Sequence, residues 1–140
     1  MRGQNHTQNP SALVTPVLRT GDLIFVSGQL PRIDGELAAV GPVDEAVSQQ
    51  ARAAAGMSAD ACLDLVASAA GGRPFIVAKI TGFVAILEGF KGIGGVVDGA
   101  SERIFERLGD EHGRHARSAV GVAGLPHGAS VEVEMVARVL

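Results

Sequence analysis

The segment from Pro42 to Gly72 reads as one long helix, and it constrains everything else the chain can fold into. Asp44 is placed to cap its N-terminus through a side-chain oxygen, and Gly71-Gly72 supplies a left-handed termination. Between them Val47, Ala51, Ala54, Ala55, Ser58, Cys62, Leu65, Val66 and Ala69 recur at intervals of three or four, drawing one narrow stripe of small residues. Cys62 lies on that stripe and is expected to pack as an inert small hydrophobe.

Around this helix the chain alternates between β-prone runs and turns. VTPVLRTGDLIFVSGQLP, from Val14, places Thr20-Gly21-Asp22 between two β-rich flanks, a hairpin signature, and Pro16 confines the first strand to an edge. Leu23–Ser27 reads as an apolar strand stopped at Gly28, and Ile33-Asp34-Gly35-Glu36 as a second turn. PFIVAKITGFVAIL (74–87) is strongly β-prone, with a kink expected at Gly82. EGFKGIGGVVDG (88–99) reads as a glycine-rich loop suited to a lid. A shorter helix is expected from Gly99 to Leu108, with Ile104, Phe105 and Leu108 inward and Gly109 as its stop. Ser118–Ala123 and Ser130–Val139 read as a closing hairpin joined by GLPHG, with His127 at its tip. This order gives an α+β class, two helices on one face of a mixed, mostly antiparallel sheet. Residues 1–12 read as a flexible arm and residues 13–140 as one domain.

Composition narrows the function classes. The 140 residues suit a single core, and a net charge of −3 offers no broad basic surface for a phosphate backbone, so no nucleic-acid partner is expected. A single cysteine fits a reducing compartment, and neither a signal peptide nor an apolar run for a membrane span is evident, so a cytoplasmic protein without membrane contact is expected. The chain has no Trp or Tyr, five Phe and 19 Gly, which leaves a modest core and favours self-association.

Arg117 poses the functional question, because it leads into the small, apolar run Ala119–Ala123. Strand alternation puts Arg117 with Ala119, Gly121 and Ala123 on a face stripped of bulk, where a second chain, a ligand or both would fit. A guanidinium there matches a carboxylate bidentately. In SVEVEMVARVL, Glu132 and Glu134 share the face opposite Val131 and Val133. If 118–123 and 130–139 form a hairpin, Glu132 stands about 17 Å from Arg117 along the strand, so the two charges cannot meet within one subunit. The bland alternative is that Arg117 pairs with a surface carboxylate and Glu132 is merely solvated.

FVSGQLP (Phe25–Pro31), followed by GRHARSAVGVAGLPHGASVEVEMVA (Gly113–Ala137), resembles the YjgF/RidA family over nearly the whole chain. The resemblance implies a chorismate-mutase-like α+β fold and a homotrimer with clefts between subunits. It implies hydrolysis of enamine and imine acids to 2-keto acids and ammonia, with no metal and no organic cofactor. In the matching positions Arg117 holds the substrate carboxylate, Glu132 acts on a water, and Ser27-Gly28 line the neighbouring side. Three positions depart from the family pattern: Val17 stands where a tyrosine is usual, Ala119 where a cysteine is common, and Asp98 where an asparagine opens the second helix. Asp98 is expected to cap that helix.

Other signals carry less. FKGIGG (90–95) lacks the order of a phosphate-binding loop, and His112 and His115 have ligand-like spacing without a third ligand. A non-catalytic module that senses small carboxylates through the same cleft remains the alternative to an enzyme. Ribonuclease activity is disfavoured by the acidic charge and the lack of a His-based acid/base pair.

Overall fold

In the computed structural model, which describes residues 13–140, the long helix lies where the sequence puts it; the expected arm of residues 1–12 falls outside the described residues. Asp44 accepts from the backbone N–H groups of Ala46 and Val47, capping a 3-10 turn over Glu45–Val47. The chain continues into α1 (Ser48–Ala70), and Gly71 ends it in the left-handed conformation at φ 63°. The stripe is buried at Ala51, Ala54, Ala55, Ser58, Cys62 and Val66. Val47 is exposed instead, because the tighter 3-10 turn carries it out of phase with the helix. The segment Glu45–Ala70 has the length and mean hydropathy (1.2) of a membrane span, but half of its apolar window is buried within the fold.

The strands are β1 (Val17–Thr20), β2 (Leu23–Gln29), β3 (Arg32–Ile33), β4 (Glu36–Leu37), β5 (Phe75–Ala85), β6 (Ala116–Val122) and β7 (Val131–Val139), with α2 (Ile93–Gly113) between β5 and β6. β1 and β2 form the expected hairpin, and β3 and β4 a small separate ribbon. The main sheet runs β1-β2-β7-β5-β6, antiparallel except for β5 with β6. Both helices pack on one of its faces, giving the α+β architecture. There Ile24, Val26, Val77, Ile80, Val84, Val133, Met135 and Ala137 meet the small-residue stripe of α1. The other face carries exposed Leu18, Leu23, Phe25 and Val120.

Four expectations are corrected. β6 and β7 do not form a hairpin; β5 stands between them and pairs with both. The long apolar run takes the interior position, and the crossover that a parallel pair requires is supplied by α2. The connection from β6 to β7 is held elsewhere: Gly41 N–H donates to Gly128 O at 2.8 Å, and Ser130 Oγ donates to Gly41 O at 2.7 Å.

The second correction concerns α2, which starts at Ile93, so residues 93–99 are helix rather than a lid loop. Its glycines serve contact: a Cβ on Gly99 would overlap the carbonyl oxygen of Arg52, so the two helices touch backbone to backbone. Gly109 interrupts the helix as expected, with φ 79°, although helical residues resume after it. Third, Phe105 points outward at 38% exposure while Ile104 is fully buried, since adjacent helical positions diverge by a quarter turn or more. Fourth, the irregularity of β5 lies between Val77 and Lys79, not at Gly82. Gly82 stays in register and makes room for Val97, whose Cγ1 would stand 2.5 Å from a Cβ there.

Candidate functional site

The residues singled out by the sequence fall into two groups on opposite faces of the sheet. Glu132 projects from β7 on the open face, in register with Phe83. Across it, the pairing of β2 with β7 slips between Val26 and Gln29, so Ser27 and Gly28 step out of the ladder. The bare Cα of Gly28 lies under the carboxylate: a Cβ would stand 2.5 Å from Glu132 Oε2. Ser27 is anchored to the first strand, its N–H donating to Pro16 O at 2.9 Å and its Oγ to Thr15 O at 2.8 Å. Glu132 is half-buried, and that burial, followed by the nearby Glu134 charge, raises its carboxyl above the ordinary value. An apolar-floored groove of about 440 Å³ runs over Leu18, Phe25, Ser27, Thr81 and Glu134 on this face.

Arg117 belongs to the other face. It is in register with Ile80, which pairs with buried Met135, so its side chain points toward α2 at the outer edge of the sheet. The face stripped of bulk is covered by the chain's own helix only in part: Gly121 makes room for Ile93, and Gly94 faces the guanidinium with its would-be Cβ 3.6 Å from Nη2, while Ala119 and Ala123 stay exposed. Arg117 Nη1 donates to Asp98 Oδ1 at 2.8 Å and more weakly to Ser101 Oγ at 3.4 Å. Asp98 does not cap the helix; with α2 starting at Ile93, it sits in the second turn and faces Arg117.

This network extends beyond the residues expected from sequence. His115 Nδ1–H donates to Gly113 O at 2.6 Å, and its Nε2 shares a hydrogen bond of 2.9 Å with Ser101 Oγ. Phe105 stands beside it, its ring centroid 6.4 Å from that of His115, under the Arg114 guanidinium at 5.8 Å. Asp98, Ser101 and Phe105 share one helical face by their spacing, a signal visible once α2 is begun at Ile93. Ala119 follows Arg117 on the same face, in register with Gly82.

Val17 is not part of either group. The row Val17–Val26–Met135–Ile80–Arg117 crosses the whole sheet, so Val17 and Arg117 occupy its two opposite edges. Among the described residues, no three His, Cys, Asp or Glu side chains gather so as to hold a metal ion. The arrangement thus offers a half-buried carboxylate able to take a proton from water and, apart from it, a guanidinium with donors suited to a carboxylate.

Similar proteins share this fold. Atu1372, a protein of unknown function from Agrobacterium tumefaciens, superposes with a TM-score of 0.85 at 38% identity, over 91% of this chain and 82% of that one. The YjgF gene product of E. coli matches with a TM-score of 0.63 at 30% identity, over 89% and 87%. E. coli TdcF, solved with bound serine, matches with a TM-score of 0.62 at 26% identity, over 89% and 87%. The mixed sheet with its two helices is the chorismate-mutase-like fold of YjgF. Residues 6–139 match the family described as Endoribonuclease L-PSP, and the chain belongs to that family, the YjgF/RidA family.

Proposed function

We propose that this protein hydrolyses small 2-imino acids, and the enamines in equilibrium with them, to 2-keto acids and ammonia in clefts between the subunits of a homotrimer. One observation carries the reading: Arg117 and Glu132 lie on opposite faces of one sheet, so a single subunit holds two half-sites that do not meet. A neighbouring copy set against an edge of the sheet would join one half to the other. The exposed Leu18, Phe25 and Val120 give such a copy apolar surface to cover. Serine bound to TdcF supports a small amino- or imino-acid ligand.

In this scheme Arg117 orients the substrate carboxylate through its remaining N–H donors. Glu132 of the partner subunit takes a proton from a water held beside Gly28, and the water oxygen attacks C2. The C2–N bond then breaks with proton return to nitrogen: the iminium acid and one water give the 2-keto acid and ammonium. No electrons are transferred, so the step calls for no redox cofactor.

A second reading, carboxylate binding without turnover, draws on Asp98 already occupying Arg117 and on Val17 and Ala119 replacing the tyrosine and cysteine of the family pattern. Imine generated by an amino-acid oxidase separates the two. Hydrolysis faster than buffer, lost in Arg117→Ala and Glu132→Gln, supports the enzyme. Saturable keto-acid binding with no acceleration selects the binding module. Cleavage of single-stranded RNA by the purified protein would favour a nuclease over both.

A further inference from the structure

Ser101 and His115 form a hydrogen-bonded pair that the imine chemistry leaves unused. Ser101, in the third turn of α2, lies through its Oγ 2.9 Å from His115 Nε2. The other ring nitrogen, Nδ1, donates to Gly113 O at 2.6 Å. A carbonyl oxygen only accepts, so this bond fixes the proton of the neutral ring on Nδ1 and leaves the Nε2 lone pair facing the hydroxyl. A serine, a base within hydrogen-bond reach and a third group that orients the base together make an activated nucleophile. Here a backbone carbonyl takes the orienting place that a carboxylate fills in the Ser-His-Asp triad. Positive charge stands next to the hydroxyl, since Arg117 Nη1 reaches Ser101 Oγ at 3.4 Å.

The hydroxyl is not sealed in. Ser101 lines an open cleft of about 510 Å³ with Asp98, Glu102, Phe105 and Glu106, and exposed Phe105 gives that cleft an apolar wall. Each of its carboxylates already holds an arginine: Asp98 with Arg117 at 2.8 Å, Glu102 with Arg52 at 2.5 Å and Glu106 with Arg103 at 3.0 Å. Formal charges around the cleft therefore cancel in pairs. An uncharged ligand with an apolar group on Phe105 suits it better than a free anion.

We propose that Ser101 and His115 give the protein a second activity, hydrolysis of small uncharged carboxylic esters through an acyl-serine intermediate. The proposal stands apart from the imine reading, because it uses neither Glu132 nor a carboxylate on the substrate. His115 Nε2 takes the hydroxyl proton as Ser101 Oγ attacks the ester carbonyl carbon, and Arg117 lies beside the negative charge that builds there. The bond from the acyl carbon to the leaving oxygen then breaks. The alcohol departs with the proton held by His115, and the acyl group stays on Ser101. A water attacks the acyl carbon, gives a proton to His115 and releases the carboxylic acid, while that proton returns to Ser101 Oγ. Ester and water become acid and alcohol, with no change of oxidation state.

Hydrolysis of para-nitrophenyl acetate by the intact protein tests this, with phenylmethylsulfonyl fluoride as the covalent probe of the same serine. The wild type should accelerate ester cleavage over buffer, and Ser101→Ala and His115→Gln should each lose about a hundredfold. His127→Ala, which removes an exposed imidazole outside this cluster, should keep the wild-type rate. Peptide mapping should find the sulfonyl group on Ser101 of the wild type and none on the same serine in His115→Gln. The wild-type labelling needs no variant, so it decides the assignment even where a substitution disturbs folding. No acceleration by the wild type, a rate that survives Ser101→Ala, or a Ser101 left unlabelled overturns the proposal. A rate lost in His127→Ala belongs to a surface imidazole and overturns it likewise.

Discussion

Glu132 rests on Gly28, close enough that a single methyl group at residue 28 would stand 2.5 Å from its Oε2. The contact involves the flexible end of a side chain, so Gly28→Ala should move the carboxylate rather than unfold the sheet. We expect an unfolding free energy within about 1 kcal/mol of wild type and a fall in imine hydrolysis of about tenfold to a hundredfold, the cost of a misplaced base. Equilibrium denaturation and steady-state rates on the same preparation check the two halves.

The protonation of Glu132 should be visible in stability. Burial first, and the Glu134 charge second, raise its carboxyl above the ordinary 4.5. A raised carboxyl holds its proton more tightly in the folded chain than in the unfolded one. Its stabilising contribution is therefore complete below the ordinary value and is lost as pH rises through the folded value. Thermal unfolding between about pH 4 and about pH 7 should show Glu132→Gln gaining on wild type as pH rises, with the two curves converging in acid. Hydrolysis should rise over the same window, because only the ionised carboxylate can take a proton from water.

Two glycines of α2 should respond to alanine in opposite directions. A methyl at Gly99 would overlap the Arg52 carbonyl and prise the helices apart, so Gly99→Ala is expected to destabilise by about 3 kcal/mol. A methyl at Gly95 meets nothing within 4 Å, and the helix there gains from a restricted unfolded chain. Gly95→Ala should stabilise by about 0.5–1 kcal/mol, read from urea midpoints at unchanged slope.

Cys62 should be silent in the native protein. Burial, then the charges of Glu134 and Glu132, push its thiol up to about 12, and its Sγ donates to Val133 O at 3.3 Å. A thiol reagent at about pH 8 should label it only at the rate of unfolding, reporting core opening rather than surface chemistry. Fast labelling of the folded protein would contradict this burial.

The parts legible in the sequence were those with a local period. Helix α1 announced itself through three- and four-residue spacing with a cap at each end, and β7 through strict alternation of Val131, Val133 and Met135 with Glu132 and Glu134. The start of α2 was hidden because Gly92, Gly94, Gly95 and Gly99 weaken helix propensity, and packing against α1 and β5 overrides it. The parallel place of β6 was hidden too, since a short loop with Gly and Pro says nothing about which strand intervenes. For the site, Arg117, Glu132 and Ser27-Gly28 were each visible, but the faces they occupy follow from β5 lying between β6 and β7. The Asp98–Arg117 pair depended on where α2 begins, and the capping role expected of Asp98 fell with it.

β7 gives the sheet an unusual dependence on order of synthesis. The β1–β2 hairpin and the β5–α2–β6 unit share no strand pairing; each pairs only with β7. A nascent chain can make both pieces early and pack them on α1, yet no strand pairing joins them until β7 has left the ribosome and threaded between them. Such late, long-range closure leaves apolar strand edges exposed in the interval. The same insertion brings Glu132 onto Gly28, so the carboxylate acquires its setting only when the sheet is sealed.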